Sequence, residues 1–180
     1  MNATALKQQP PALEWSPQQD DAIRAVQTWL KTPNAPQVFR LFGYAGTGKT
    51  TLAKELAREV KGSELYATFT GKAALVLRAK GCDDASTIHS LIYKVEVDED
   101  TGEAKFLLNP ESDLADAELL IIDEVSMVGA DLAEDLLSFN KPILVLGDPA
   151  QLPPISSEGF FINAEPDIML TEVHRQAQDN

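Results

Sequence analysis

One cysteine in 180 residues, Cys82, has no partner for an internal disulfide, and with only two histidines no zinc-type Cys/His cluster can be assembled. Such scarcity predicts a reducing, cytoplasmic setting. Cations are also few: 15 Lys plus Arg stand against 28 Asp plus Glu, a formal net charge of -13. Neutralisation of phosphates by Lys and Arg supplies most non-specific affinity for nucleic acid, so wholesale attraction to DNA or RNA is excluded and any contact has to be local. No apolar run approaches the roughly 20 residues of a membrane-spanning helix. The opening MNATALKQQPPALEW has neither the basic flank nor the apolar run of a secretory leader. Neither an internal repeat nor a low-complexity tract is found, and the expectation is a soluble protein with no membrane partner.

Hydrophobic residues, by contrast, make up 44% of the chain, enough for the core of one domain. Residues 1–14 are polar and interrupted by proline, which predicts a loose arm. Helical structure is expected to begin at SPQQDDAIRAVQTWLK, with Ser16 as N-cap, Pro17 at the first helical position and Ile23, Val26 and Leu30 at helical spacing. Five short apolar runs follow: 38–42, 65–69, 119–122, 143–147 and 168–170. Apolar on both faces and alternating with helical segments, they predict an α/β fold, a parallel sheet of about five strands with helices on both faces. Between Leu91 and Asn109, rough alternation on either side of Asp100, Thr101 and Gly102 predicts an inserted β-hairpin. The acidic clusters at 97–103, 111–118 and 131–137 are expected to be solvated faces.

GYAGTGKTT, directly behind the first apolar run, satisfies the phosphate-loop pattern through Gly43, Gly48, Lys49 and Thr50. Glycines let backbone N–H groups close on phosphate oxygens, and the following helix adds partial positive charge at the same place. Ala45, Gly46, Thr47 and Thr51 complete the cradle. Lys49 is expected to reach the β and γ phosphates of ATP, and Thr50 to ligate Mg2+. Asp123 and Glu124 follow the run LLII, at the sheet edge where open α/β proteins bind ligands. That position suits Asp123 for the Mg2+ shell and Glu124 for polarising the attacking water. Gln151, in GDPAQLPPI, is a candidate sensor of the γ phosphate.

Taken in order, GYAGTGKTT, TFTGKAA, STIHSL, IIDEVSM, GDPAQLPPI and LTEVHRQA resemble motifs I, Ia, Ib, II, III and IV of superfamily 1B DNA helicases, the RecD-like and Dda-like group, over about residues 15–178. The resemblance implies a P-loop NTPase of RecA-like type, the first motor domain of an enzyme that couples ATP hydrolysis to 5′ to 3′ movement along single-stranded DNA. It implies that Gln19 recognises adenine, that Thr70, Gly71 and Lys72 contact the DNA backbone, and that Ser86, Thr87 and His89 lie along the same track. It also implies that Arg175 reaches toward the γ phosphate. Phe69 departs from the proline common in the family; it either stacks a base or faces the core, and His89 likewise either touches DNA or packs its helix. The hairpin occupies the place of a strand-separating pin, although its acidic tip fits a plain surface hairpin as well.

The family's second RecA-like domain, with motifs V and VI, has no counterpart in these residues. The expectation is therefore a motor domain that depends on a C-terminal motor partner for translocation, with recombination or replication subunits as further partners. The alternative is a stand-alone P-loop ATP-binding module completed by a separate protein. A guanine-nucleotide switch is disfavoured, because NKPI at 140–143 carries Ile143 where the guanine-reading aspartate belongs.

Overall fold

The computed structural model describes residues 14–58, 60, 62–151 and 159–173. In chain order these form α1 (Pro17–Lys31), β1 (Val38–Gly43), α2 (Lys49–Arg58), β2 (Glu64–Thr68), α3 (Gly71–Ala79), β3 (Ser86–Thr87), α4 (Ile88–Ile92), β4 (Tyr93–Val97), β5 (Ala104–Leu108), β6 (Leu119–Asp123), α5 (Ala130–Leu137), β7 (Ile143–Gly147) and β8 (Ile168–Leu170). Six strands make one sheet in the order β3-β2-β6-β7-β1-β8, and all its pairings are parallel. The five expected strands are present, and the two-residue β3 joins them at the edge beyond β2.

Parallel strands need helical crossovers, so both faces of such a sheet end up covered. Here one face packs Phe42, Ala67, Leu120, Ile122, Ile143 and Val145 against Ile88 and Ile92 of α4 and Leu132 and Leu136 of α5. The other packs Phe39, Leu41, Leu119, Ile121, Leu144 and Leu146 against α1 and α2. Tyr66 on that second face also meets Leu77 of α3, beside the buried, free Cys82.

Helix α1 starts where its cap chemistry dictates. The Ser16 hydroxyl accepts from the Gln19 N–H, the Gln19 side chain returns to the Ser16 N–H, and Pro17 occupies the first turn. The adjacent Gln18 ties this turn to the far end of the described chain. Its Oε1 accepts from the N–H groups of Thr171 (2.8 Å) and Glu172 (3.1 Å), just past β8.

The inserted hairpin is present as β4 and β5, paired antiparallel from Tyr93–Leu108 to Val97–Ala104. Its base differs from the expected boundary: Leu91 and Ile92 end α4 and are not strand. Thr87 caps that helix by accepting from the Ser90 N–H, and Ile88 and Ile92, one turn apart, are both buried. Local capping and burial override the alternation there. At the tip, Asp98 Oδ1 accepts from the N–H groups of Asp100 (3.0 Å) and Thr101 (2.9 Å), which holds the carboxyl below its usual range. No helix among the described residues is long and apolar enough to cross a membrane.

Candidate functional site

The strand-to-helix turn from Gly43 to Thr50 is built by close approach. A Cβ at Gly43 would lie 2.7 Å from Thr47 Oγ1 and 2.8 Å from Leu170 Cβ, so only glycine fits between the loop and β8. Gly46 and Gly48 have φ of 80° and 81°, a left-handed geometry that glycine adopts without strain and that anion-binding loops use. Thr47 is buried and its hydroxyl donates to the Tyr44 carbonyl at 2.9 Å. Gln19, also buried, braces the loop from outside by donating from Nε2 to the Thr47 carbonyl at 3.0 Å.

The ammonium of Lys49 donates to the carbonyls of Gly43 (2.6 Å) and Tyr44 (3.0 Å), holding it at the mouth of the loop. Burial lowers its pKa, and the charges of Asp148 and Asp123 oppose that shift. Thr50, on the first turn of α2, donates from Oγ1 to Asp123 Oδ2 at 3.0 Å, linking the loop to the end of β6. Asp123 Oδ1 accepts from the Glu124 N–H at 3.0 Å, and Glu124 itself sits in the left-handed region, φ 58° and ψ 51°. A bulky residue held there marks a backbone constrained by its surroundings, a feature concentrated at functional sites.

These groups converge on one cleft of about 340 Å³, lined by Ala45, Gly46, Gly48, Lys49, Thr50, Thr51, Asp123, Glu124 and Gln151 among the expected residues. Lys80, Asp148 and Gly147 also line it. Asp148 directly follows β7 and Asp123 is the last residue of β6, so the strand-end rule is sufficient to find it. Lys80, just past the end of α3, enters only through the crossover geometry. Among the described residues no cluster of three or more His, Cys, Asp or Glu is placed to hold a metal ion. A hydroxyl and a carboxylate 3.0 Å apart nevertheless fit Mg2+, which takes hard oxygen donors and is commonly completed by water and substrate phosphates.

The residues expected along DNA lie at the same sheet edge, beyond Asp123. Thr70 caps α3 by accepting from the Ala73 N–H at 3.2 Å, and Gly71 and Lys72 are exposed on its first turn. Ser86 and Thr87 form β3. Phe69 is half-buried and packs on the core, with its ring edge-on to the exposed His89 at a centroid distance of 5.8 Å. His89 in turn stacks toward Tyr93 at 5.8 Å. Arg175 and residues 152–155 of the GDPAQLPPI segment lie outside the described residues, as do 1–13 of the expected arm.

The chain belongs to the AAA domain family, whose sequence profile matches residues 14–180. It is an AAA-type P-loop domain. Among solved structures it is similar to the Pif1 helicase from Bacteroides in complex with ADP-AlF3 and ssDNA, at 25% identity and a TM-score of 0.63, over 92% of this chain and 44% of that one. A Pif1 helicase structure concerned with unwinding at forked dsDNA gives 22% identity and a TM-score of 0.62 over 92% and 46% of the two chains. The Pif1 helicase from Candida albicans gives 22% and 0.55 over 93% and 42%. At 22% identity these last two show the fold alone. The chain thus spans less than half the length of the helicases it matches. No curated protein is matched.

Proposed function

We propose that this domain binds and hydrolyses ATP with Mg2+ as part of a helicase that moves 5′ to 3′ on single-stranded DNA, together with a second motor domain. The observation that carries the reading is the Thr50–Asp123 hydrogen bond, which joins loop and strand end inside the cleft that also holds Lys49, Glu124 and Gln151. The similarity to a Pif1 helicase bound to ADP-AlF3 and ssDNA supports it.

In this reading the loop amides hold the phosphates, and Lys49 leaves the Gly43 and Tyr44 carbonyls to reach the β and γ groups. Bound Mg2+, held through Thr50 and Asp123, supplies charge neutralisation at those phosphates. Glu124 accepts a proton from the water whose oxygen attacks the γ phosphorus as the bond to ADP breaks. Gln151 orients that water, Arg175 offsets charge on the transferred group, and Gln19 reads adenine beside the loop it braces. Thr70, Gly71, Lys72, Ser86, Thr87 and His89, with Phe69, line the DNA track at the adjoining edge.

Titration calorimetry with Mg·ATP should give a saturable isotherm that Lys49→Ala abolishes, whereas Glu124→Gln keeps binding and loses turnover. Unchanged ATP affinity in the Lys49→Ala protein would remove the reading. A labelled single-stranded oligonucleotide should bind no tighter than roughly 10⁻⁶ M at physiological salt, and more weakly as salt rises.

A further inference from the structure

Among the described residues, one buried side-chain polar atom has no hydrogen-bond partner: the hydroxyl oxygen of Thr68, at the end of β2. The residue is 0% exposed. Thr68 pairs in register with Asp123 of β6 and with Thr87 of β3. Paired strands run about 4.8 Å apart and register partners share a face, so Thr68 and Asp123 are side-by-side neighbours. Both also line a second cleft of about 310 Å³, which adjoins the nucleotide cleft through Lys80, Asp123 and Glu124.

A buried hydroxyl with nothing to bond is unfavourable, and valine would fill the same shape in a strand without that penalty. The oxygen is therefore explained by a partner it gains in another state. Asp123 offers one. An ionised carboxylate presents about four acceptor sites. Two are occupied here, by the Thr50 hydroxyl and the Glu124 N–H. A carboxylate that ligates a cation needs further donors to fix its orientation.

We propose that Thr68 is a positioning residue whose hydroxyl donates to the Asp123 carboxylate when Mg2+ and nucleotide are bound, fixing the aim of Asp123 and, through the Glu124 N–H, of the base beside it. The proposal rests on the Mg·nucleotide reading of the cleft. It assigns Thr68 no contact with substrate.

Thermal unfolding with ADP-aluminium fluoride, followed across a Mg2+ titration, separates the two ideas. Wild type should gain Tm as Mg2+ rises. Thr68→Val should match or exceed the wild-type Tm without ligand, yet need about tenfold more Mg2+ to reach half of the gain, in line with the lower end of the effects seen when such outer partners are lost. Thr68→Ser, which restores the donor, should return the midpoint toward wild type. A Thr68→Val midpoint equal to that of wild type overturns the proposal while leaving the nucleotide reading intact. So does a lowered unliganded Tm with an unchanged midpoint, which would make the hydroxyl merely structural. Absence of any Mg2+-dependent gain in wild type, with Lys49→Ala behaving identically, removes both. If Thr68→Val does not fold, Thr68→Ala lacks the same donor and is read by the same midpoint.

Discussion

Strands of equal length meet opposite fates in this protein. β6 and β7 have five residues each and are buried almost throughout, whereas β4 and β5, also five residues each, are exposed along nearly all of their length. Val95 and Phe106, paired across the hairpin, are 56% and 67% exposed although both are apolar. Composition separates the two sets only in part: β4 and β5 carry Lys94, Glu96 and Lys105 where β6 and β7 carry Asp123 alone. The parallel strands are forced by their crossovers to carry helices on both faces, while a hairpin closes through a short turn and recruits no cover. A two-stranded hairpin is marginal alone, so its order is lent by its base. There Tyr93 donates to Asp135, the Asn109 N–H donates to the Ile92 carbonyl at 2.7 Å, and Ser112 Oγ donates to the Leu91 carbonyl at 2.6 Å.

The contrast is broken most sharply from the sheet side. Leu120→Ala, at a fully buried position of β6, should lower stability by about 2–5 kcal/mol in urea titration. At the hairpin base, Tyr93→Phe should cost about 1 kcal/mol, because the lost hydrogen bond is to a carboxylate but half-exposed. Burial, with the Asp135 bond, pushes the Tyr93 hydroxyl from its ordinary 10 up to about 12. A raised folded-state pKa means that its contribution is complete below pH 10 and is lost as the pH climbs to 12. The stability gap between wild type and Tyr93→Phe should therefore shrink across that window, measured by denaturation at stepped pH. A smaller effect of opposite sign is expected at the cleft. Glu124→Gly relieves the left-handed backbone and, after the entropy penalty of glycine, should stabilise by about 0.5 kcal/mol while removing turnover. Smallest of all, Phe106→Ser at the open hairpin face should stay within about 0.5 kcal/mol.

Five of the six strands of the parallel sheet, α1 with its cap and the phosphate loop were legible in the sequence, because each is written in local chemistry. Ser16 and Pro17 announce a helix start without help from the rest of the chain. The convergence of Thr50 with Asp123, 73 residues apart, was reachable by combining the loop pattern with the strand-end rule. β3 was not legible, since two residues form a strand only by borrowing the edge of β2. Nor was Lys80, which is brought to the cleft by the path of α3 and carries no motif. The hairpin itself was visible as alternation about Gly102, but its start was masked where Thr87 and Ile88 favour one more helical turn.

The first turn of α1 puts two glutamines side by side with different duties. Gln19 grips the Thr47 carbonyl in the phosphate loop, and Gln18 grips the backbone at Thr171 and Glu172. The loop and the strand exit are thereby yoked to a single rigid rod. Neither can shift without tugging on the other, so chain motion after β8 is felt at the phosphate loop through the rod as well as through the Tyr44 N–H, which donates to the Leu170 carbonyl at 3.4 Å.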